Sequence, residues 1–162
     1  MGVRTEKAES LLEEQIINYL QSIGYEYVTP SQMKACFNKR HAIDEERLFR
    51  FIKKTQPKAY NNHKLDSEEG KQKFLNILSS KLTLDGVAKV LKEGIKMYPT
   101  GVIFFYHALD KKRPSSFTEF KSNIFSVTNQ LTYSENNPGL ELDICVFING
   151  LPVITMELKS KA

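Results

Sequence analysis

The stretch Leu140–Lys159, LELDICVFINGLPVITMELK, constrains this chain more than any other. It reads as two apolar strands joined at Asn149-Gly150, and an Asn-Gly step between alternating apolar runs is the strongest short-range hairpin signal. Side chains alternate across a strand, so Leu142, Ile144, Val146 and Ile148 share one face of the first arm. On the second arm Ile154, Met156 and Leu158 share a face, leaving Glu157 and Lys159 together on the other. Asp143 lies on the face opposite the Leu142 row. Two acids and a lysine on strands that otherwise read as core need a chemical reason.

Divalent-metal phosphodiester chemistry supplies one. Mg²⁺ prefers carboxylate oxygens and water and usually takes only one or two protein carboxylates. Asp143 and Glu157 can hold such an ion, which polarises a scissile phosphate and lowers the pKa of an attacking water. Lys159, on the Glu157 face, can position that water or offset charge on the phosphorane. As a bare pattern D-x(13)-E-x-K fits a plain hairpin equally well, with a solvated polar face and an incidental Glu157–Lys159 pair.

Strand parity turns this into a structural test. In an antiparallel hairpin, directly opposed residues have numbers with a constant sum and share a face. A regular two-residue loop at Asn149-Gly150 sets Ile148 against Leu151 and Asp143 against Met156, away from Glu157. Metal binding needs an even sum. The smallest solution is a three-residue loop, Asn149-Gly150-Leu151, with Ile148 facing Pro152. A five-residue loop or a β-bulge between Asp143 and Ile148 is equivalent. One of these irregularities is expected, with Asp143 opposite or diagonal to Glu157.

The surrounding words add to this. PGLELDICVFINGLPVITMELKS resembles the nuclease segment of the R (restriction and translocation) subunit of type I restriction enzymes. That family writes D-hhhFhNGLPhhhhELK here (h, apolar), within the wider PD-(D/E)xK nuclease superfamily. NIFSVTNQLTYS resembles its N-x-F-x-V-x-x-Q segment, and GVAKVLKEGI followed by VIFFYH resembles its upstream helix and strand. The resemblance covers roughly residues 8–28 and 80–160. Leu142 replaces the Pro that often precedes the Asp in the superfamily, a departure that leaves the chemistry untouched.

The resemblance implies a Mg²⁺-dependent endonuclease domain that cuts double-stranded DNA. Asp143, Glu157 and Lys159 would be catalytic, with Asp143 and Glu157 on the metal. It gives Glu13 a place on the first helix pointing toward the same ion. In that family the cutting domain precedes an ATP-driven translocating motor, and the subunit works with methyltransferase and specificity subunits. The family continues past ELK with helices and a Q-x-x-x-Y motif. Residues 1–162 are therefore expected to form the N-terminal endonuclease domain, incomplete at its C-terminus, without the ATP-using motor and inactive alone.

The remainder of the chain fits one domain. At 162 residues, 41% hydrophobic and 26% charged, it can bury one real core. The net charge of +4 suits a polyanionic partner and plain solubility about equally. Cys36 and Cys145 make no disulfide framework, and Cys145 reads as a small buried hydrophobe. No apolar run approaches transmembrane length and no signal-peptide core opens the chain, so a cytoplasmic protein is expected, with no membrane. His41, His63 and His107 are too scattered for zinc. Neither G-x-x-x-x-G-K-[ST] nor G-x-S-x-G occurs.

In chain order, residues 1–8 are expected to fray and Ser10 to about Gln21 to form a helix ended by Gly24. Ser10-Leu11-Leu12-Glu13 has capping-box spacing, which makes tying back to the Ser10 N–H the expected main task of Glu13; a role toward a metal can coexist with it. Further helices are expected over about 44–54, after Ser67, and from about Leu84 to Met97, with a polar loop over Tyr60–Asp66. The many lysines between 53 and 96 read as solvated faces. The loop Leu109–Ser116 carries Lys111, Lys112 and Arg113 beside Pro114, and can contact DNA phosphates or serve as a plain mobile loop. Together these give an α/β fold, restriction-endonuclease-like, with a mixed sheet of four or five strands (102–107, 124–133, 141–149, 153–160) and flanking helices. A non-catalytic DNA-docking module and a structural interaction domain remain the alternatives. In the latter, Asp143 and Glu157 would pair with internal lysines or arginines.

Overall fold

The computed structural model describes residues 2–107, 115–137 and 139–159, with side chains from residue 8 onward. The basic loop residues Lys111, Lys112 and Arg113 lie outside the described residues. The elements run α1 (Gly2–Ser22), β1 (Glu26–Tyr27), α2 (Pro30–Cys36), β2 (Phe37–Asn38), β3 (Ile43–Asp44), α3 (Glu45–Thr55), α4 (Pro57–Asn62), α5 (Glu68–Asp85), α6 (Val87–Glu93), α7 (Ser116–Phe120), β4 (Phe125–Thr132), β5 (Glu141–Ile148) and β6 (Leu151–Met156). The main sheet has the order β1-β4-β5-β6. β1 is parallel to β4, and the other pairs are antiparallel. This is the expected mixed four-stranded α/β arrangement. Among the described residues no helix is long and apolar enough to cross a membrane.

Alternation along β4 and β5 divides their apolar side chains between two faces. Val127, Ile144 and Val146 pack with Ile17 of α1, whereas Leu131, Cys145 and Phe147 pack with Val28 and with Met33 of α2. The central strands are thus buried on both sides, in keeping with a segment 124–133 that has no one cleanly apolar face. A larger cluster gathers α3 to α6, including Leu48, Phe51, Phe74, Leu75 and Leu78, and Leu151 of β6 reaches into it.

Local signals fix the helices. Asp44 caps α3 by accepting from Arg47 N, and Ser67 caps α5 by accepting from Gly70 N. Thr29 and Gln32 form a reciprocal capping box at α2, with Pro30 at its first turn, a signal the sequence reading passed over. The helix expected over 84–97 is corrected: α5 runs through to Asp85, Gly86 interrupts at φ 79°, and α6 ends before Gly94. Part of the expected 60–66 loop is helical, because Pro57 starts α4 as soon as it stops α3. α1 begins at Gly2, well ahead of Ser10, so residues 2–8 are helical rather than frayed.

The expected strand 102–107 is also corrected. Only Val102 pairs with another extended residue, Ile95. Side-chain amides take the place of a neighbouring strand. Gln56 accepts from Ile103 N and donates to Ile103 O. Asn123 does the same for Tyr106, and Asn149 donates to Phe104 O. Phe104 is fully buried, so the apolar run VIFFYH reflects burial, with the backbone satisfied by amides.

A charged cluster joins α3 to the β1 edge. The buried Arg47 donates to Asp44 Oδ2 at 3.0 Å and to Glu26 Oε1, and Arg50 donates to Glu26 Oε2. Burial alone would raise the Glu26 carboxyl, but the hydrogen bonds and charges of Arg47 and Arg50 outweigh it and hold it below its ordinary 4.5. Burial pushes His41 below its ordinary 6.5; Arg40 adds to this, while Glu45 and Glu135 oppose it. Among the described residues neither ring nitrogen of His41 has a partner. Both shifts give stability that is present at higher pH. The His41 share is lost as pH falls below about 6.5, and the Glu26 share as it falls below about 4.5. Thermal melts are expected to drop in two steps on acidification, and His41→Gln should remove only the upper one. A melting temperature unchanged between about pH 7.5 and 5.5 would refute the His41 assignment.

Candidate active site

The hairpin that carries the acids is anchored at its turn. Asn149 and Gly150 both have positive φ, 51° and 84°, as a two-residue turn matched to strand twist requires. The turn is buried. Asn149 Oδ1 accepts from Ile124 N, and its Nδ2 donates to Phe104 O and Asn123 Oδ1. Gly150 O accepts from Asp44 N at 3.0 Å.

The register then slips. Ile148 pairs with Leu151 and Phe147 with Pro152, an odd sum, but Val146 pairs with Ile154, Cys145 with Thr155 and Ile144 with Met156, an even one. Val153 is the extra residue, a β-bulge in edge strand β6 immediately after Pro152. Proline offers no N–H to the ladder, and edge strands and bulges are where a sheet accepts it. The loop is therefore two residues rather than the three-residue form expected as smallest. The bulge does the equivalent work.

Carried one step further, the even sum sets Asp143 across from Glu157. Asp143 Oδ2 accepts from Leu158 N at 2.5 Å, which ties the half-buried acid to the strand end bearing Glu157. Glu157 and Lys159 follow on the same arm, Lys159 Nζ standing 3.8 Å from Glu157 Oε2, with side chains 83% and 62% exposed for Lys159 and Glu157. So exposed a pair contributes little to stability, which leaves both groups available. The structure thus brings Asp143, Glu157 and Lys159 to one end of the hairpin.

Glu13 does not cap α1, because Ser10 lies inside the helix. Instead it reaches the sheet. Ile17, one turn on, packs against the β4–β5 face, and Glu13 lies over the adjoining polar end of β4. There its Oε1 accepts from Asn129 Nδ2 and its Oε2 from Gln130 Nε2. Asn129 and Gln130 were not among the residues marked from sequence. Their signal was present, since Gln130 closes the N-x-F-x-V-x-x-Q phrase and 124–133 had no clean apolar face.

All the acids here offer oxygen, the donor type that suits Mg²⁺ rather than zinc. Among the described residues no three His, Cys, Asp or Glu side chains stand close enough to form a ready-made metal cage. A facing pair of carboxylates is nonetheless the number Mg²⁺ ordinarily takes from a protein. The cysteines offer no competing chemistry: burial pushes the Cys36 and Cys145 thiols up to about 12.

A mixed α/β sheet with flanking helices, bearing two acids and a lysine at one end of a bulged hairpin, defines a nuclease-like fold. The chain belongs to the family described as type I restriction enzyme R protein N terminus, whose sequence model matches residues 6–162. It is 28% identical over 158 residues to the type I restriction enzyme SauCOLORF180P endonuclease subunit of Staphylococcus aureus (strain COL). The SauMRSORF196P and SauMSSORF170P endonuclease subunits of strains MRSA252 and MSSA476 are equally similar. Each match covers 96% of this chain but only 15% of the relative. No solved structure matches the chain.

Proposed function

We propose that this chain is the Mg²⁺-dependent endonuclease domain of a type I restriction R subunit, hydrolysing phosphodiester bonds of double-stranded DNA within an ATP-dependent translocating complex. The Val153 bulge carries the reading, because it sets Asp143 across from Glu157 where an unbroken hairpin would set it against Met156. The family membership and the names of the relatives support the same class of activity.

Asp143 and Glu157 would hold the ion, with the Leu158 N–H orienting the Asp143 carboxylate. When bound, Mg²⁺ supplies polarisation of the scissile phosphate and a more acidic attacking water. Lys159, solvated and next to Glu157, is free to swing onto a phosphate oxygen and offset charge as it develops. Lys111, Lys112 and Arg113 remain candidates for sequence-independent phosphate contacts. DNA recognition, methylation and ATP hydrolysis fall to methyltransferase, specificity and motor parts outside this chain. An internal structural role for the acids is disfavoured. Asp143 takes a backbone N–H, and the cation beside Glu157 is exposed.

The test is a Mg²⁺ titration of the 162-residue chain followed by NMR. Resonances of Asp143 and Glu157 are expected to shift together, in a one-to-one isotherm that Asp143→Ala abolishes. The isolated chain is expected to show little cleavage of linear duplex and only weak DNA affinity that declines steeply with salt. DNA binding with no response to Mg²⁺ or Mn²⁺ would replace the nuclease reading by the docking-module one.

A further inference from the structure

Charge is unevenly shared along this chain. Between Lys53 and Lys96 ten lysines stand against five acids, a net of +5 in a chain whose total is +4. That span runs from the last turn of α3 through α6, so the remainder, which includes the whole main sheet, comes to −1. Some of these lysines are engaged. Lys81 and Lys89 pair with Asp85, and Lys53 and Lys71 lie over the rings of Tyr60 and Phe49. Lys58, Lys64, Lys73 and Lys96 are exposed, and among the described residues none of the four is paired with a carboxylate.

These four surround one feature. Lys64 and Lys73 line a concavity of about 460 Å³, over a floor that includes Phe74 and Met97, with Glu69 as an acid at its edge. Lys58 stands one turn before Asn62 on α4, and Lys96 stands next to Met97; Asn62 and Met97 also line the concavity. Tyr98 completes the rim and is 95% exposed. It sits at the tip of a loop whose stem is closed by two Ile95–Val102 backbone hydrogen bonds of 2.8 and 2.9 Å. Asn62 Nδ2 donates to Thr100 Oγ1 and His63 Nε2 to Thr100 O, each at 2.6 Å, which ties that loop to the end of α4. The loop is braced, yet its aromatic side chain adds nothing to the core.

The backbone at Lys64 points the same way. Lys64 has φ 52°, a left-handed conformation that glycine or asparagine adopts at less cost. The turn is held there from outside: Lys64 O accepts from Ser67 N and Ser67 Oγ, and a Cβ on Gly70 would lie 2.1 Å from Lys64 O. A lysine kept at a position that suits glycine calls for a use of its side chain, since strain of this kind gathers at functional sites.

We infer that this rim is a sequence-independent binding surface for the phosphate backbone of duplex DNA. Lys58, Lys64, Lys73 and Lys96 contact phosphates, and the Tyr98 hydroxyl donates to one. The inference takes duplex DNA as its partner from the nuclease reading above, but it uses none of the metal-site residues. The division of charge then has a purpose: the helical layer holds the backbone, while the sheet presents its acids.

The experiment is fluorescence anisotropy of a labelled linear duplex titrated with the 162-residue chain over a range of NaCl concentrations, in EDTA so that no divalent ion contributes. Four phosphate contacts give a slope of log K against log salt of about −3.6, roughly −0.9 for each contact. Lys64→Gly relieves the strained φ, so it should melt no lower than the wild type. It should nevertheless make the slope shallower by about 0.9, and Lys64→Gly with Lys73→Gln by about 1.8. Tyr98→Ala should weaken binding about 2- to 10-fold without changing the slope, because it removes a hydrogen bond and no charge. Glu69→Gln should tighten binding. Lys34→Gln with Lys89→Gln removes the same two charges, one on α2 outside the rim and one already paired with Asp85, and should keep the wild-type slope. A Lys64→Gly, Lys73→Gln protein with the wild-type slope, or a control that loses as much, would overturn the inference. Asp143→Ala keeps the two levels apart. It should bind duplex in EDTA as the wild type does and lose its response to Mg²⁺, whereas a retained Mg²⁺ response would remove the metal site and leave the binding surface standing.

Discussion

Gly150→Ala is expected to destabilise the domain by about 4 kcal/mol, far more than one methyl group normally does. Two costs combine. At φ 84° an L-residue is strained, and a Cβ at this position would lie 2.4 Å from Asp44 O and 2.7 Å from Leu48 N. Both obstacles are backbone atoms at the start of α3, so neither can rotate aside. The Gly150 O bond to Asp44 N would be lost as the turn backed away. Asn149→Ala should cost a similar amount, since it leaves Ile124 N and Phe104 O without this partner in a buried place and takes one of two donors from Asn123 Oδ1. Urea unfolding of the wild type and the two variants reads this directly, and the melting temperature should fall by roughly 10 °C. A loss below about 1 kcal/mol for Gly150→Ala would mean that the turn is not the pin joining α3 to the sheet.

That pin was only partly legible in the sequence. Asn149-Gly150 announced a hairpin with positive φ, and parity with the need to bring two acids together demanded an irregularity nearby. Pro152 explains where it fell, at Val153, two residues further along than the smallest solution placed it. What the sequence could not display was the burial of the turn, because an Asn-Gly pair normally lies in solvent. The same blindness affected 102–107. Its apolar pattern was strand-like, but its backbone partners are the side-chain amides of Gln56, Asn123 and Asn149, drawn from three distant places in the chain.

Glu13 shows the converse error. Its spacing from Ser10 matched a capping box, a local pattern, while the competing partners Asn129 and Gln130 lie more than a hundred residues away. Local sequence always favours the nearby explanation. β4 also leaves its alternation at Gln130, where φ is 50°: Val127 packs with α1, whereas Leu131 and its β5 partner Leu142 pack with α2, and nothing in the composition of a strand marks such a residue.

The same geometry sets the expectation for catalysis. In a full-length R subunit carrying this domain, Asp143→Ala should reduce double-strand cleavage by about 100-fold or more, while ATP-driven translocation continues unchanged. Asp143 is half-buried at a strand position, and among the described residues its hydrogen-bond partner is the Leu158 N–H, so its removal leaves one backbone donor at a strand end that solvent can reach. The structural penalty is therefore small and the chemical one large. Glu157→Ala should match it, because on the proposed reading either substitution breaks the facing pair of carboxylates. Lys159→Met should fall less far in Mg²⁺ binding than in cleavage, since the role proposed for the lysine is on the phosphate rather than on the ion. Plasmid linearisation read beside a strand-displacement assay of translocation separates the two functions. Cutting retained by Asp143→Ala would remove the catalytic assignment, and loss of both activities together would show that the substitution had disturbed the assembly instead.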